Sequence, residues 1–249
     1  MGALLEVRGV FRSFGGVLAL SDCTLSVERG KVAALIGPNG SGKTTLFNVI
    51  TGYLPVRRGE VLYDGKPITN GRPDTIFKLG IARTFQLSRI FAQLSVLENV
   101  LVATQSGTGW LHSMVQTKGS KAQRQRALEA LDFVGLAGKW QDPAGSLSYG
   151  QRRLLELAFV LVTDPQVILL DEPTAGVNVR LIEQLARQVR ELNRMGKTFL
   201  IVEHNMEFVM DVCDPVTVLH RGSTIASGGP DEVRSNPQVL DAYLGDGRS

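Results

Sequence analysis

No stretch of this chain constrains its fold more than Gly37-Pro38-Asn39-Gly40-Ser41-Gly42-Lys43-Thr44, which follows the apolar run Val32–Ile36 and precedes a helical pattern beginning near Lys43. A glycine-rich turn between a strand and a helix lets successive backbone N–H groups face one concavity, and the helix N-terminus adds favourable dipole for negative charge. This is the P-loop pattern in its expected setting, and it predicts a phosphate cradle. In it Lys43 reaches the β- and γ-phosphates, Thr44 carries a hydroxyl for Mg²⁺, and Thr45 is placed to bond a more inward phosphate. A glycine-rich turn that matches by accident is the competing reading, and a second motif decides between the two.

That motif is Val167-Ile168-Leu169-Leu170-Asp171-Glu172, an apolar strand ending in two carboxylates. Groups so placed emerge at the C-terminal edge of a parallel sheet, beside a P-loop. Asp171 is expected to hold Mg²⁺, directly or through water, and Glu172 to polarise an attacking water as general base. A second apolar strand, Thr198–Val202, leads to His204 on the same edge, where a neutral imidazole contacts a γ-phosphate or holds that water. A histidine at a strand end is otherwise a surface or capping residue, and only its companions argue against that here.

The periodicity along the chain changes twice. Residues 4–10, 17–27, 31–36 and 59–64 alternate as strands, residues 121–134 and 151–162 carry helical spacing, and strand-helix-strand order returns over 167–170, 179–195, 198–202 and 205–212. Short strands at 216–219 and 223–226 and a final helix at 237–244 close the chain. The order implies an α/β fold with a buried parallel sheet and an inserted helical block.

Leu147-Ser148-Tyr149-Gly150-Gln151 lies just before a helix, and with the P-loop, Asp171-Glu172 and His204 in this order the whole chain resembles the ATP-binding subunits of ABC transporters. The resemblance implies one ABC domain over 1–249: a P-loop core with an N-terminal antiparallel β subdomain in 1–86 and 163–249, and a helical signalling subdomain in 87–162. It implies that Ser148, Tyr149, Gly150 and Gln151 bind the γ-phosphate of ATP held by another subunit's P-loop. A serine hydroxyl, glycine amides and a helix N-terminus suit that task. One phosphate clamped between two such sites makes ATP binding a dimer closure and hydrolysis a release. The family match makes Phe14 the aromatic that stacks on adenine, with core packing as the alternative, and Gln86 the glutamine that links nucleotide and Mg²⁺ to the membrane partner.

The finer resemblance is to the ATPases of branched-chain amino acid importers and their amide and urea relatives. It rests on Tyr149 where most ABC proteins have Gly, on Ala82-Arg83-Thr84-Phe85-Gln86 leading to Leu97-Glu98-Asn99, and on Val202-Glu203-His204-Asn205-Met206-Glu207-Phe208-Val209. Asn178 stands where many relatives place an Asp that bridges the dimer, and Phe159 replaces a common Arg; the first exchange bears on coupling between sites. The implied partners are a second ATPase subunit, identical or a sister chain, two integral membrane permease subunits docking near 86–101, and indirectly a substrate-binding protein. The implied place is peripheral, on the cytoplasmic face of the inner membrane. Export of lipid or lipopolysaccharide is the alternative within the family, and the cargo is not written in this chain.

Composition narrows the rest. A net charge of +3 in 249 residues does not announce a nucleic-acid binder, and the coiled coils, zinc modules or tandem ATPase units of soluble ABC clamps are missing from the pattern. A P-loop kinase would leave the Ser148 segment unexplained. Residues 1–7 lack a signal-peptide pattern and no apolar run approaches the roughly 20 residues of a membrane span, so the chain is expected to stay in the cytosol. The two cysteines, Cys23 and Cys213, read as reduced packing residues. The basic residues Lys118, Lys121, Arg124 and Arg126 form either a solvated helix face or a surface for phosphate or membrane.

Overall fold

The computed structural model describes residues 2–84, 90–104 and 120–245. The elements run β1 (Ala3–Phe14), β2 (Val17–Glu28), β3 (Val32–Ile36), α1 (Lys43–Ile50), β4 (Arg58–Tyr63), β5 (Lys66–Pro67), α2 (Pro73–Lys78), β6 (Ile81–Arg83) and α3 (Val96–Ala103). After the second break come α4 (Lys121–Phe133), α5 (Tyr149–Leu161), β7 (Val167–Asp171), α6 (Val179–Arg194), β8 (Thr198–Val202), α7 (Met206–Val212), β9 (Val216–His220), β10 (Ser223–Gly228), α8 (Pro230–Ser235) and α9 (Pro237–Gly245).

Two compact units form. The first comprises 1–83, 166–172 and 189–249, the second 84–165 and 173–188, so α6 begins in one and ends in the other. In the first unit, β2-β1-β4-β5 make an antiparallel sheet, and β10-β9-β3-β8-β7-β6 a six-stranded one. The latter is parallel from β9 to β6, with β10 antiparallel on its edge. Every residue of β3, β7 and β8 is buried, as unbroken apolar runs require in a parallel sheet covered on both faces. Val7 and Leu25 of the antiparallel sheet, Leu35, Leu169 and Leu200 of the parallel one, and Phe47 of α1 share a single core. That core fixes the P-loop helix between the sheets.

In the second unit three helices open with the same device. Ser95, Ser120 and Ser148 each accept the N–H three residues on, and Glu98, Gln123 and Gln151 return the bond to the serine N–H. Asn99, 1% exposed, clasps the preceding turn, taking the Phe91 N–H at 2.8 Å and donating to the Phe91, Leu94 and Ser95 carbonyls. Its place in the Leu97-Glu98-Asn99 stretch is therefore architectural. Lys121 and Arg126 on α4 are exposed and Arg124 stacks over Trp140 at 5.0 Å, the pattern of a solvated helix face; Lys118 lies outside the described residues. Both cysteines are free and buried, and burial pushes the thiols up, to about 11 for Cys23 and about 12 for Cys213, as inert packing residues.

Candidate functional site

Strand β3 delivers the chain into Gly37, whose φ of 149° and close surroundings leave no room for a side chain: a Cβ would sit 2.0 Å from the Leu219 carbonyl oxygen. Gly42 takes φ 108° as the cap of α1, and a Cβ there would meet the Ala19 oxygen at 2.5 Å. Only glycine permits this bend. Ser41 is buried, Asn39 and Gly40 are exposed, and Pro38 is half-buried. Lys43, 6% exposed, folds its ammonium back onto the loop, donating to the Gly37 oxygen at 2.8 Å, the Pro38 oxygen at 2.9 Å and Ser41 Oγ at 3.5 Å. Burial pushes the Lys43 amine below its ordinary value, opposed by the charges of Glu172 and Asp171. A desolvated cation among oriented dipoles attracts an anion. Thr44 is exposed at the first turn of α1 and Thr45 is half-buried.

Asp171 is fully buried at the end of β7. Arg83, at the end of neighbouring β6, donates from Nη2 to Asp171 Oδ2 at 2.6 Å and from Nη1 to Asn48 Oδ1, also at 2.6 Å, with its guanidinium 5.3 Å over the Phe47 ring. Asn48 lies one turn beyond Thr44 on α1, so one buried cation ties the acid strand to the P-loop helix. The motif around Arg83 carries no sequence signal for this task.

The next residue, Glu172, is a non-glycine residue at φ 48°, its N–H extending the sheet ladder to the Val202 oxygen at 2.9 Å. This left-handed backbone turns the carboxylate away from that of Asp171 and toward His204, with Glu172 Oε1 and His204 Nε2 3.1 Å apart. Glu203, 2% exposed at the end of β8, accepts the backbone N–H of His204 at 2.9 Å and of Asn205 at 3.2 Å on one oxygen. Glu203 thus fixes the turn that presents the imidazole, a second residue that sequence reading left without a role. A third is Tyr243 of α9: partial burial raises its phenol, and a backbone hydrogen bond with Gly37 opposes the shift.

Phe14, at the end of β1, is 43% exposed with Arg12 stacked 4.7 Å from its ring, so it is no core residue. Gln86 lies outside the described residues. In the second unit Ser148 Oγ accepts the Gln151 N–H at 3.3 Å and Gln151 Oε1 accepts the Ser148 N–H at 3.0 Å. The serine hydroxyl hydrogen keeps its capacity to donate to an anion, while the glutamine oxygen, an acceptor, serves the cap. Gly150, in the first turn of α5, lies against Leu181, to which a Cβ would come within 2.7 Å. Tyr149 is half exposed.

Oxygen donors, Thr44 Oγ and a single buried carboxylate, suit a hard divalent cation completed by phosphate and water, and no cluster of three or more metal-binding side chains exists among the described residues. No described helix is long and apolar enough to cross a membrane.

Comparisons with known proteins identify the family. The family model for ABC transporters matches residues 20–175, and that for branched-chain amino acid ATP-binding cassette transporters matches 223–249. The high-affinity branched-chain amino acid transport ATP-binding protein LivG of Escherichia coli strain K12 is 37% identical over 250 residues, 98% of this chain and 98% of that protein. A probable counterpart in Archaeoglobus fulgidus is 37% identical over 245 residues, 97% of this chain and 95% of that one. The crystal structure of the ADP conformation of an ATP-binding cassette matches with a TM-score of 0.89 at 37% identity, covering 98% of this chain and 100% of that chain. A nucleotide-free cassette gives 0.88 at 36%, covering 97% and 98%. On the family match and the near-full-length likeness, the chain belongs to the ABC transporter family, as an ATP-binding subunit that hydrolyses ATP.

Proposed function

We propose that this chain powers an importer of branched-chain or other hydrophobic amino acids from the cytoplasmic face of the inner membrane, as one of two ATPase subunits beneath two permease subunits. The observation that carries the cargo class is the C-terminal match over 223–249 to the branched-chain amino acid cassettes, joined to near-full-length likeness to proteins of that name.

In this reading the P-loop amides and Lys43 hold the β- and γ-phosphates, Phe14 stacks on adenine, and the Ser148 to Gln151 segment of a second subunit donates to the γ-phosphate from the other side. Thr44 and Asp171, with Gln86, hold Mg²⁺, which when bound supplies charge neutralisation on the phosphates. Glu172 accepts the proton of the attacking water as its oxygen bonds to the γ-phosphorus and the bond to the ADP oxygen breaks, while His204 orients Glu172 and the water. The second compact unit, containing the helices of 87–162, serves as the signalling subdomain toward the membrane subunits. Import and its cargo are tested by reconstituting the chain with its co-purified membrane subunits and binding protein in proteoliposomes. ATP-dependent uptake of leucine, isoleucine or valine, with amide or urea uptake measured in parallel, is the expected result. Purification with only soluble partners would overturn the transport reading.

A further inference from the structure

Tyr149 does something that a glycine at the same place does not. Its ring lies against the Cα of Gly176, so close that a Cβ there would stand 3.2 Å from Cε1 and 3.6 Å from Cζ, and Gly176 holds φ 70°. The ring is itself braced: Arg153 donates to its hydroxyl at 3.1 Å and stacks 5.4 Å from its centre. Arg153 is buried and paired with buried Glu156 at 3.1 Å, so the brace is rooted in the body of α5. Tyr149 therefore grips the loop 173–178 from the helix that Ser148 opens.

That loop starts one residue after Glu172, and the division between the two compact units falls on the Glu172–Pro173 bond. Glu172 is tied to the core by its N–H bond to Val202, so displacement of residue 173 acts on the torsions of Glu172, already held at φ 48°. Asn178 is engaged locally, its Oδ1 accepting the Leu181 N–H at 3.0 Å as the cap of α6.

We propose that Tyr149 is a positioning residue that couples the two ATP sites within one chain: phosphate captured by the Ser148 segment sets, through the ring on Gly176, the placement of Glu172 in the chain's own site. The inference rests on the two-site sandwich of the proposed function. It gives Tyr149 a coupling task in a chain that carries Asn178 where many relatives place an Asp.

The test compares full-length wild type, Tyr149→Ala and Tyr149→Phe. Tyr149→Ala should lower kcat roughly tenfold, within the span usual for coupled sites, bring the Hill coefficient for ATP to about one, and change KM little. Tyr149→Phe, which keeps the ring on Gly176, should restore both kcat and cooperativity. In a Glu172→Gln background, ATP should still dimerise the Tyr149→Ala chain, measured by sedimentation. Wild-type kcat and Hill coefficient in Tyr149→Ala would overturn the proposal. So would loss of ATP-driven dimerisation in the double variant, since Tyr149 would then act in closure itself. If Glu172→Gln alone stays monomeric with ATP, the sandwich reading fails, and the coupling with it.

Discussion

Replacing Arg83 by Met isolates the energetics of the buried acid. The Arg83 side chain is 8% exposed, Asp171 is fully buried, and the bonds to Asp171 and Asn48 are both 2.6 Å, so the substitution takes a charged donor from a desolvated carboxylate and from an amide oxygen. Breaking one side of a buried pair costs about 3–5 kcal/mol. Lys43 also senses the Asp171 charge and takes up part of it, which sets the expected loss near the lower end, about 3 kcal/mol. For a chain of this size that corresponds to a fall in Tm of about 6–12 °C. Urea and thermal unfolding of Arg83→Met, Asp171→Asn and the double variant form a thermodynamic cycle. Because the double variant has neither charge to strand, it should be more stable than the sum of the singles implies, by about 2 kcal/mol. A loss under about 1 kcal/mol in Arg83→Met, or strict additivity in the cycle, would refute a buried clamp.

Other perturbations address the chemistry. Glu172→Gln should retain nucleotide binding and lower hydrolysis by about 10²-fold or more, accumulating an ATP-bound dimer visible by gel filtration; turnover at the wild-type rate removes Glu172 from the role of base. Ser148→Arg should bind ATP as a monomer with near-normal affinity yet fail to dimerise, and undiminished dimerisation argues against a second anion site in this segment. ADP affinity should fall at alkaline pH because the phosphate-binding form of Lys43 is the ammonium, and burial holds its pKa in the unloaded protein below the ordinary 10.5. The sign follows directly: affinity is flat below the unloaded pKa and drops by about tenfold per pH unit above it. Fluorescent-ADP titrations that stay flat to pH 10.5 would contradict this, and Lys43→Arg, charged throughout the range, should remove the dependence.

Where the candidate site is made of contiguous residues, its place in the fold was legible: the P-loop between β3 and α1, the acids at the end of β7, and the capped start of α5 each need only neighbours along the chain. The antiparallel and parallel sheets followed from the family and from strand patterns. What escaped reading depends on which strands become neighbours. Arg83 acquires a task only because a three-residue strand, β6, pairs with β7, and three residues carry too little periodicity to be seen. Glu203 looked like a companion of His204 rather than its support, since the bond runs from side chain to the following backbone. Tyr149 and Gly176 are brought together by packing in the second unit, with no local signal. The six-residue helix α2 was signalled by Pro73 in its first turn, Asp74 beside it and Lys78 at its end, and α3 by Ser95 and Glu98, cues that count only when caps are sought independently of helix length.

In the proposed mechanism, the left-handed backbone at Glu172 sets stability and turnover against one another. A glutamate at φ 48° carries a conformational burden of order 1–3 kcal/mol that glycine at that position would shed, and glycine has no carboxylate with which to move a proton. Directed evolution for heat resistance alone would therefore drift toward dead enzymes at residue 172, and any thermostabilisation of this cassette has to hold that position under a separate selection for activity.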